Sequence, residues 1–537
     1  MSTDNGAARQ GTAGSAPAQA PAPTPRHGSR ARPLAGALAG LLAGVAAVAA
    51  SEAVAALLHG VTSPLFSVGD RAVDAAPRPV KEWAIATFGT HDKPVLIGGV
   101  VVTVAGLAVL SGIVGVRRPR AAVGIFLVLS AVATAAALTD RAATASAGLR
   151  LLPAVALVAV GLVALVALLR PLRAAPAGGD RSGIDRRAFL KAALAVSAVA
   201  AAGEVVTRTF GVNDAAASRA AVRLPGAAVP ARPLPPGAEL GVRGVTPYLT
   251  ANRDFYRVDT ALEVPAVPIE GWSLRIHGLV DREVELTYAD LLKRRLVEER
   301  VTLTCVSNPV GGGYLGNAAW LGVPMHELLA EAGPRAGADA VKSTSVDGFT
   351  VGTPLPVLMD RGRGALLAIG MNGQPLPLEH GFPARMVTPG LYGYVSATKW
   401  VVDLEVTRFS DFTAYWTSRG YAAQAPIKTS SRIDVPKSFA QVPAGRIPVA
   451  GVAWSQDRGI ARVEVRVDGG PWQPARLAAE DTVNSWRQWL WDWDARPGSH
   501  TLEVRATDKS GYTQTSRTAP IAPDGSTGLD SVNVTVS

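Results

Sequence analysis

Residues 302–313 read TLTCVSNPVGGG and contain the only cysteine of the 537-residue chain. The apolar positions of residues 301–306 predict a buried strand that opens into a glycine-rich loop. At such a strand end, backbone amides can approach a ligand closely and a side chain can be presented to it. Cys305 has no partner for an internal disulfide, so it is either a small buried hydrophobic residue or a functional thiol.

Three ordered motifs favour the functional thiol. They are CVSN at residues 305–308, GNAAWLGVP at residues 316–324 and MNGQPLPLEHGFPAR at residues 371–385. Together they resemble the catalytic domain of the sulfite oxidase family of molybdopterin enzymes, over about residues 245–410. The resemblance implies a molybdenum-molybdopterin cofactor in which the Cys305 thiolate is the one protein ligand of the metal. Soft sulfur ligands suit such a metal.

The resemblance also implies further site residues at matching positions. It places Tyr256 and Arg257 with Cys305 in the catalytic set. It assigns cofactor contacts to Asn252, Tyr256, Arg257, Ser345, Asp347, His380, Arg385, Tyr392, Ser396 and Lys399. The planar guanidinium of Arg385 has the geometry that holds a phosphate tail.

The sequence departs from the sulfite-oxidising members of that family at two places. Pro309 and Val310 stand where those members have an arginine pair, and Phe349 stands where they have a tyrosine. A sulfite dianion would therefore meet fewer positive partners, and the substrate stays open. With one cysteine, the chain has neither a Cys-x-x-Cys-His haem site nor a cysteine-held iron-sulfur cluster, which implies a separate electron-transfer partner.

Apolar residues make up 48% of the chain and concentrate in its first 206 residues. Residues 1–33 predict a disordered cytoplasmic leader, and residues 34–206 predict a membrane bundle, because about 20 apolar residues cross a bilayer as a helix. The five predicted spans are residues 34–58, 94–116, 121–138, 151–169 and 188–206.

Basic residues predict the orientation of these spans. Arginine clusters precede the first span and lie between the second and third and between the fourth and fifth, whereas the opposite loops mix both charges. Since Lys and Arg stay on the cytoplasmic face, everything after the fifth span is expected outside the cytoplasmic membrane. This topology accounts for much of the net charge of +10, and no nucleic-acid-binding module is recognisable.

Residues 185–191, DRRAFLK, resemble a twin-arginine export signal before the last span. Export after folding fits a cofactor that is inserted in the cytoplasm. The fifth span can stay as an anchor or be removed near residues 200–202, and the sequence leaves both alternatives open.

The remaining chain predicts three parts. Residues 207–244 are proline-rich and predict an extended linker. Residues 245–423 predict an α+β, sulfite-oxidase-type catalytic domain that binds molybdopterin. Residues 424–537 predict an all-β immunoglobulin-like sandwich, because short alternating segments end at turns such as Asp468-Gly469. In the resembled family this last domain pairs subunits, so a homodimer is an expectation.

Three functions are consistent with these predictions. The first is two-electron oxygen-atom transfer on a small substrate, with sulfur compounds among the candidates. The second is reduction of sulfoxide-type substrates at the same site. The third is a membrane-tethered binding protein that keeps the fold without the chemistry.

Overall fold

The computed structural model describes residues 28–58, 60–77, 80, 83, 87–88, 92–140, 145–173, 185–210 and 213–537. Most of the predicted leader, residues 1–27, lies outside the described residues, as does Arg181 of a predicted cytoplasmic loop. Helices form the first part of the described chain and β-sheets the rest.

The helices of the first part follow its apolar runs. They are α1 (Gly28–Ala56), α2 (Pro64–Ala75), α3 (Asp92–Arg117), α4 (Pro119–Leu138), α5 (Ala147–Arg173), α6 (Arg186–Phe210) and α7 (Asn213–Ala221). Among the described residues, five of them are long and apolar enough to cross a membrane: α1, α3, α4, α5 and α6. They coincide with the five predicted spans.

Helix α1 is the centre of this bundle and packs on α3, α5 and α6. Small residues let α1 and α3 approach closely. A Cβ on Gly40 would lie 2.0 Å from the carbonyl oxygen of Ala108, and a Cβ on Gly112 would lie equally close to that of Gly36. Such glycine contacts are a common means of helix association in membranes.

Two features of this part were not predicted. Helix α2 lies between the first two spans, where Ser63 caps it by accepting a hydrogen bond from the Leu65 amide at 3.2 Å. The prediction of an extended linker is wrong at its start, because α6 continues to Phe210 and α7 follows. Arg219 of α7 donates to the backbone oxygen of Leu376 at 2.7 Å, which ties this segment to the sheets.

The middle part combines two sheets with short helices. The strands are β1 (Ser273–Gly278), β2 (Val284–Thr287), β3 (Val297–Thr304), β4 (Leu315–Pro324), β5 (Ala340–Ser345), β6 (Thr350–Pro354), β7 (Leu366–Met371), β8 (Gln374–Pro375), β9 (Arg385–Val387) and β10 (Val401–Thr407). The α-helices are α8 (Tyr288–Lys293), α9 (Met325–Ala332) and α10 (Leu355–Met359).

One sheet has the order β2-β1-β10-β5-β6, and the other has the order β3-β4-β7-β8 with β9 paired to β7. Strands β1 and β10 are parallel, and the other pairs of these two sheets are antiparallel. A single core joins both sheets and contains the fully buried Leu274, Ile276 and Trp320. This part is therefore α+β.

Two further sheets form the last part. Their strands are β11 (Ser430–Val435), β12 (Ala440–Val442), β13 (Gly445–Trp454), β14 (Ile460–Val467), β15 (Gln473–Pro474), β16 (Arg476–Leu477), β17 (Arg487–Ala495), β18 (Gly498–Asp508) and β19 (Asp530–Val536). The orders are β11-β13-β17-β16 and β12-β19-β18-β14-β15. Val449 and Trp489 of one sheet share a core with Val463 and Val504 of the other. The immunoglobulin-like assignment and the domain boundaries stay predictions.

Hydrogen bonds from the last part of the chain hold β3, the strand that ends just before Cys305. The amide of Thr302 in β3 donates to the carbonyl of Asn484 at 2.9 Å, and its hydroxyl accepts from the amide of Trp486 at 2.8 Å. Gln456 donates to the Thr302 carbonyl at 2.7 Å. Because β3 is held on this side by the C-terminal sheets and on the other by β4, the position of Cys305 is fixed by both parts.

Candidate functional site

Cys305 follows β3 directly and is 8% exposed. Its amide donates to the Tyr314 carbonyl at 2.9 Å, and the Ser307 amide points to its Sγ at 3.4 Å. Burial raises the pKa of the Cys305 thiol, and the contact with Ser307 lowers it by less. The sulfur is nevertheless not sealed in the core, because Cys305 lines a cleft.

This cleft encloses about 870 Å³ of empty space, including the solvent at its open mouth. It brings together residues that are up to 166 positions apart in the chain, from Phe255 to Tyr421. Seven of the predicted site residues line it: Tyr256, Cys305, Ser345, Asp347, His380, Arg385 and Lys399.

A turn at Gly381 gathers three of these seven. Gly381 has φ = +107°, and a Cβ there would lie 3.1 Å from the Cβ atoms of both Arg385 and Lys399. The absence of a side chain therefore lets His380, Arg385 and Lys399 converge. The Nε2–H of His380 donates a hydrogen bond to the backbone oxygen of Asn252 at 3.0 Å.

Burial sets the charge states at this turn. It lowers the pKa of His380 to about 4, with the nearby Arg385 guanidinium adding to the effect, so the imidazole is neutral at pH 7. Burial also lowers the pKa of Arg385 to about 10, which still leaves it protonated. The buried Arg385 cation thus lies beside a neutral histidine in the cleft.

Lys399 is held by a carboxylate of the same cleft. Its Nζ lies 2.7 Å from Oδ2 of Asp259, and the Nε of Arg257 lies 2.9 Å from the same oxygen. Asp259 is 4% exposed in its side chain, so this single buried carboxylate pairs with both bases and offsets one of their two positive charges. Arg257 does not line the cleft and orients Asp259 from outside it.

Three other predicted residues also lie behind the lining. Asn252 accepts from the Asn372 side chain at 2.8 Å. The Ser396 hydroxyl donates to the carbonyls of Leu391 and Tyr392. Tyr392 lines a second, smaller cleft. The roles assigned to these residues and to Arg257 stay predictions.

An aromatic surface forms one side of the cleft and was missed by the sequence reasoning. We call it the aromatic wall, and it consists of Phe349, Tyr394, Trp416 and Tyr421. The rings of Trp416 and Tyr421 are 5.3 Å apart, and those of Tyr394 and Tyr421 are 5.6 Å apart. The concentration of aromatic residues in the stretch YWTSRGY, residues 415–421, was the available signal.

The two residues that replace an arginine pair do not face this cleft. Pro309 and Val310 are exposed and line the smaller cleft instead. Phe349, the tyrosine replacement, does line the main cleft and contributes a ring without a hydroxyl.

The residues of the cleft fit a molybdenum-molybdopterin group. Ser345 is 3% exposed, and its hydroxyl has no hydrogen-bond partner among the described residues. Arg385 is 5% exposed, and its hydrogen bonds within the described part of the chain go only to backbone carbonyls, at His380, Met386 and Ala397. A buried hydroxyl and a buried cation of this kind suit a polar, anionic occupant. Cys305 supplies the sulfur ligand that such a metal prefers.

Comparisons with known proteins agree with this fit. A family model described as the oxidoreductase molybdopterin binding domain matches residues 261–416. Sulfite oxidase of Gallus gallus is 30% identical over 322 residues, which cover 51% of this chain and 70% of that protein.

Mitochondrial sulfite oxidase of Mus musculus is 30% identical over 324 residues, which cover 51% of this chain and 58% of that protein. The chain thus spans a little more than half the length of that relative. Among solved structures, the sulfane dehydrogenase SoxCD from Paracoccus pantotrophus has a TM-score of 0.48 and 24% identity, covering 55% of this chain and 85% of that one. The family match implies molybdenum-molybdopterin as the cofactor. The chain belongs to the sulfite oxidase family of molybdopterin-dependent oxidoreductases.

Proposed function

We propose that this protein is a membrane-anchored molybdenum enzyme that transfers an oxygen atom to or from a small substrate, with two electrons, outside the cytoplasm. The observation that carries the proposal is the convergence of Cys305, Ser345 and Arg385 on one cleft. The bound cofactor supplies the redox chemistry there, taking up or giving the two electrons. The electrons pass to or from a separate partner protein, and in the oxidising direction water supplies the oxygen atom.

The charges that line the cleft favour an uncharged substrate. Of the two basic side chains in its lining, Lys399 is paired with Asp259, and Arg385 lies where an anionic part of the cofactor fits. A sulfite dianion would therefore compete for cations that already have partners.

A second candidate is the reduction of sulfoxide-type substrates. The aromatic wall favours it, because aromatic faces bind uncharged organic groups better than a small dianion. The site is the same and the direction of electron flow is reversed. A third candidate, a binding protein without chemistry, predicts that purified protein contains neither molybdenum nor pterin.

Contacts outside the spans agree with five crossings, in whichever direction the first span runs. An N-terminus in the cytoplasm puts α2, the α4–α5 connection and the chain after α6 on the outer side. Ser67 of α2 donates to Asp140 of that connection at 2.6 Å, and Arg419 pairs with Asp74 of α2 at 3.2 Å. These three segments are neighbours, as five crossings require in either orientation, so the orientation itself rests on the distribution of basic residues.

The location can be tested by cysteine labelling, because the native Cys305 is buried. Phe439 is 81% exposed in the last part of the chain, whereas Ala121 is exposed at the start of the third predicted span, its cytoplasmic end in the proposed orientation. A membrane-impermeant maleimide should label Phe439→Cys in intact spheroplasts and Ala121→Cys only after permeabilisation. The reverse pattern would contradict the orientation. Light scattering on the protein purified in detergent tests the expected homodimer.

The activity test uses the full chain, matured in a host that makes the cofactor and purified in detergent. We expect molybdenum and pterin in equal amounts and turnover with an uncharged sulfur substrate. Steady-state assays with sulfite, a methyl sulfoxide and nitrate separate the candidates. Loaded enzyme that turns over sulfite fastest would contradict the uncharged-substrate proposal, and protein without molybdenum would favour the binding protein.

A further inference from the structure

Helix α2 of the apolar N-terminal part contacts the catalytic part through Asp74. Its Oδ1 accepts hydrogen bonds from the Tyr415 hydroxyl at 3.1 Å and from Nη2 of Arg419 at 3.2 Å. The side chains of Arg419 and Asp74 are 23% and 17% exposed. A charge pair at this depth is screened less than one on the open surface, so the contact holds the two parts together.

The two partners of Asp74 are themselves one unit. The Arg419 guanidinium carbon lies 3.5 Å from the centroid of the Tyr415 ring, and its Nη1 donates to the Tyr415 carbonyl at 2.8 Å. The Tyr415 amide is bound to Thr350 at the start of β6. Asp74 therefore binds a preformed stack and does not depend on two independently mobile side chains.

This stack lies directly behind the aromatic wall. The Tyr415 ring contacts Phe349 with centroids 5.4 Å apart and Trp416 with centroids 5.2 Å apart. Both of those rings line the cleft, and Trp416 in turn contacts Tyr421. A displacement of Tyr415 would consequently move several ring faces of the wall.

A second contact of α2 is with a segment next to the cleft. The Asp70 carboxylate accepts a hydrogen bond from the Leu262 amide. Gly69 lies against the Leu262 side chain so closely that a Cβ would be 2.5 Å from Cδ1. Residues 258–260, immediately before Leu262, line the cleft. Helix α2 thus contacts two segments that shape the cleft.

We propose that Asp74 is a positioning residue for the catalytic cleft, through which helix α2 of the membrane region holds the aromatic wall in its substrate-binding arrangement. The membrane region then shapes the substrate site as well as anchoring the enzyme. The expected change in KM rests on the proposed function. The expected change in hydrogen exchange does not depend on turnover.

The experiment compares Asp74→Asn, Asp74→Glu and Tyr415→Phe in the full-length holoenzyme. Asp74→Asn removes the charge but keeps the shape, so we expect KM to rise about tenfold, the effect of losing a partly buried charge-assisted hydrogen bond. The kcat and the molybdenum content should stay within about twofold, since no reacting group is changed. Asp74→Glu should recover most of the substrate affinity.

The matched control is Asp411→Asn. It removes an exposed ion pair in which Nη1 of Arg408 lies 3.7 Å from Oδ2 of Asp411, just before residues 413–421. It should leave KM unchanged. An Asp74→Asn variant with the KM of this control would overturn the proposal.

Hydrogen exchange provides the readout that needs no turnover. In Asp74→Asn and in Tyr415→Phe, the amides of residues 413–421 should exchange at least about threefold faster than in the native chain, and those of the control should not. If the native chain has no turnover, the proposed function fails and the exchange result still decides the positioning role. Unchanged exchange in both variants would contradict that role.

Discussion

The guanidinium carbon of Arg385 lies 5.0 Å from the centroid of the Trp320 indole ring, in a part of the cleft that is closed to solvent. The ring face and three backbone carbonyls are uncharged partners, and no described carboxylate pairs with this arginine. A cation held this way is costly unless an anion joins it. The arrangement explains why a phosphate-bearing cofactor and this arginine suit each other.

Replacement of Arg385 should therefore separate cofactor binding from folding. We expect Arg385→Gln to reduce the pterin and molybdenum content more than about tenfold, since charge-assisted hydrogen bonds are lost. The cofactor-free protein should be at least as heat-stable as the native apoprotein, because a buried charge has been removed. Metal analysis and thermal unfolding of both forms measure the two effects.

Arg253→Gln is the control for this comparison, because Arg253 is 88% exposed in its side chain and pairs with Asp254 at 3.5 Å. Its cofactor content should equal that of the native protein. Full cofactor content in Arg385→Gln would remove this residue from the binding site.

Asp70 should make the docking of α2 depend on pH. Burial, together with the carboxylates of Asp140, Asp347 and Asp74, raises the pKa of Asp70 to about 7 from an ordinary value of 3.8. The hydrogen bond from the Leu262 amide lowers this pKa by less than the other effects raise it. Between about pH 4 and pH 7, Asp70 is therefore protonated when α2 is docked on the Leu262 segment and ionised when α2 is undocked. The resulting stability is fully present below about pH 4 and is lost as pH rises through 7.

Asp70→Asn mimics the protonated form, so it isolates this dependence. At pH 8 the Leu262 amide should exchange more slowly in the variant than in the native chain, after correction for intrinsic exchange, and at pH 4 the two should agree. Equal rates at both pH values would exclude Asp70 as the titrating group.

Asp481 should link the C-terminal sheets to the cysteine strand. Its Oδ1 lies 2.8 Å from Nη2 of Arg300 in β3. Its carboxylate also accepts a hydrogen bond from the Tyr248 hydroxyl at 2.8 Å. The side chains of Arg300 and Asp481 are 12% and 4% exposed. Because Asp481→Ala leaves Arg300 with a poorly compensated charge, we expect a loss of about 3–5 kcal/mol in local stability.

Hydrogen exchange along β3 measures that loss, and molybdenum content should fall with it. Asp492→Ala is the matched control, since Asp492 forms an exposed pair with Arg446 at 2.9 Å. Equal protection of β3 in the two variants would show that the C-terminal sheets do not support the site.

The sequence predicted elements whose signals are local. The five apolar runs predict helices by length alone, and the alternation before Cys305 predicts β3. Thr287 followed by Asp290 three residues later has the spacing of a helix cap, and both reciprocal hydrogen bonds are present at the start of α8.

Features that depend on distant partners were not predictable in this way. Asp74 and Arg419 are 345 positions apart, so neither pattern nor spacing indicates that they meet. Helix α2 was missed because its twelve residues are too few and too mixed to resemble a span. The family resemblance supplied the seven cleft residues, which periodicity alone would have left as unrelated polar side chains.

The central claim is that Cys305 Sγ is the protein ligand of the molybdenum. X-ray absorption at the molybdenum edge, on the native holoenzyme and on Cys305→Ser, tests it most directly. We expect the variant to keep pterin but to lose one sulfur neighbour of the metal, with turnover reduced by at least about a hundredfold. An unchanged sulfur shell together with full molybdenum-dependent turnover in Cys305→Ser would contradict the account.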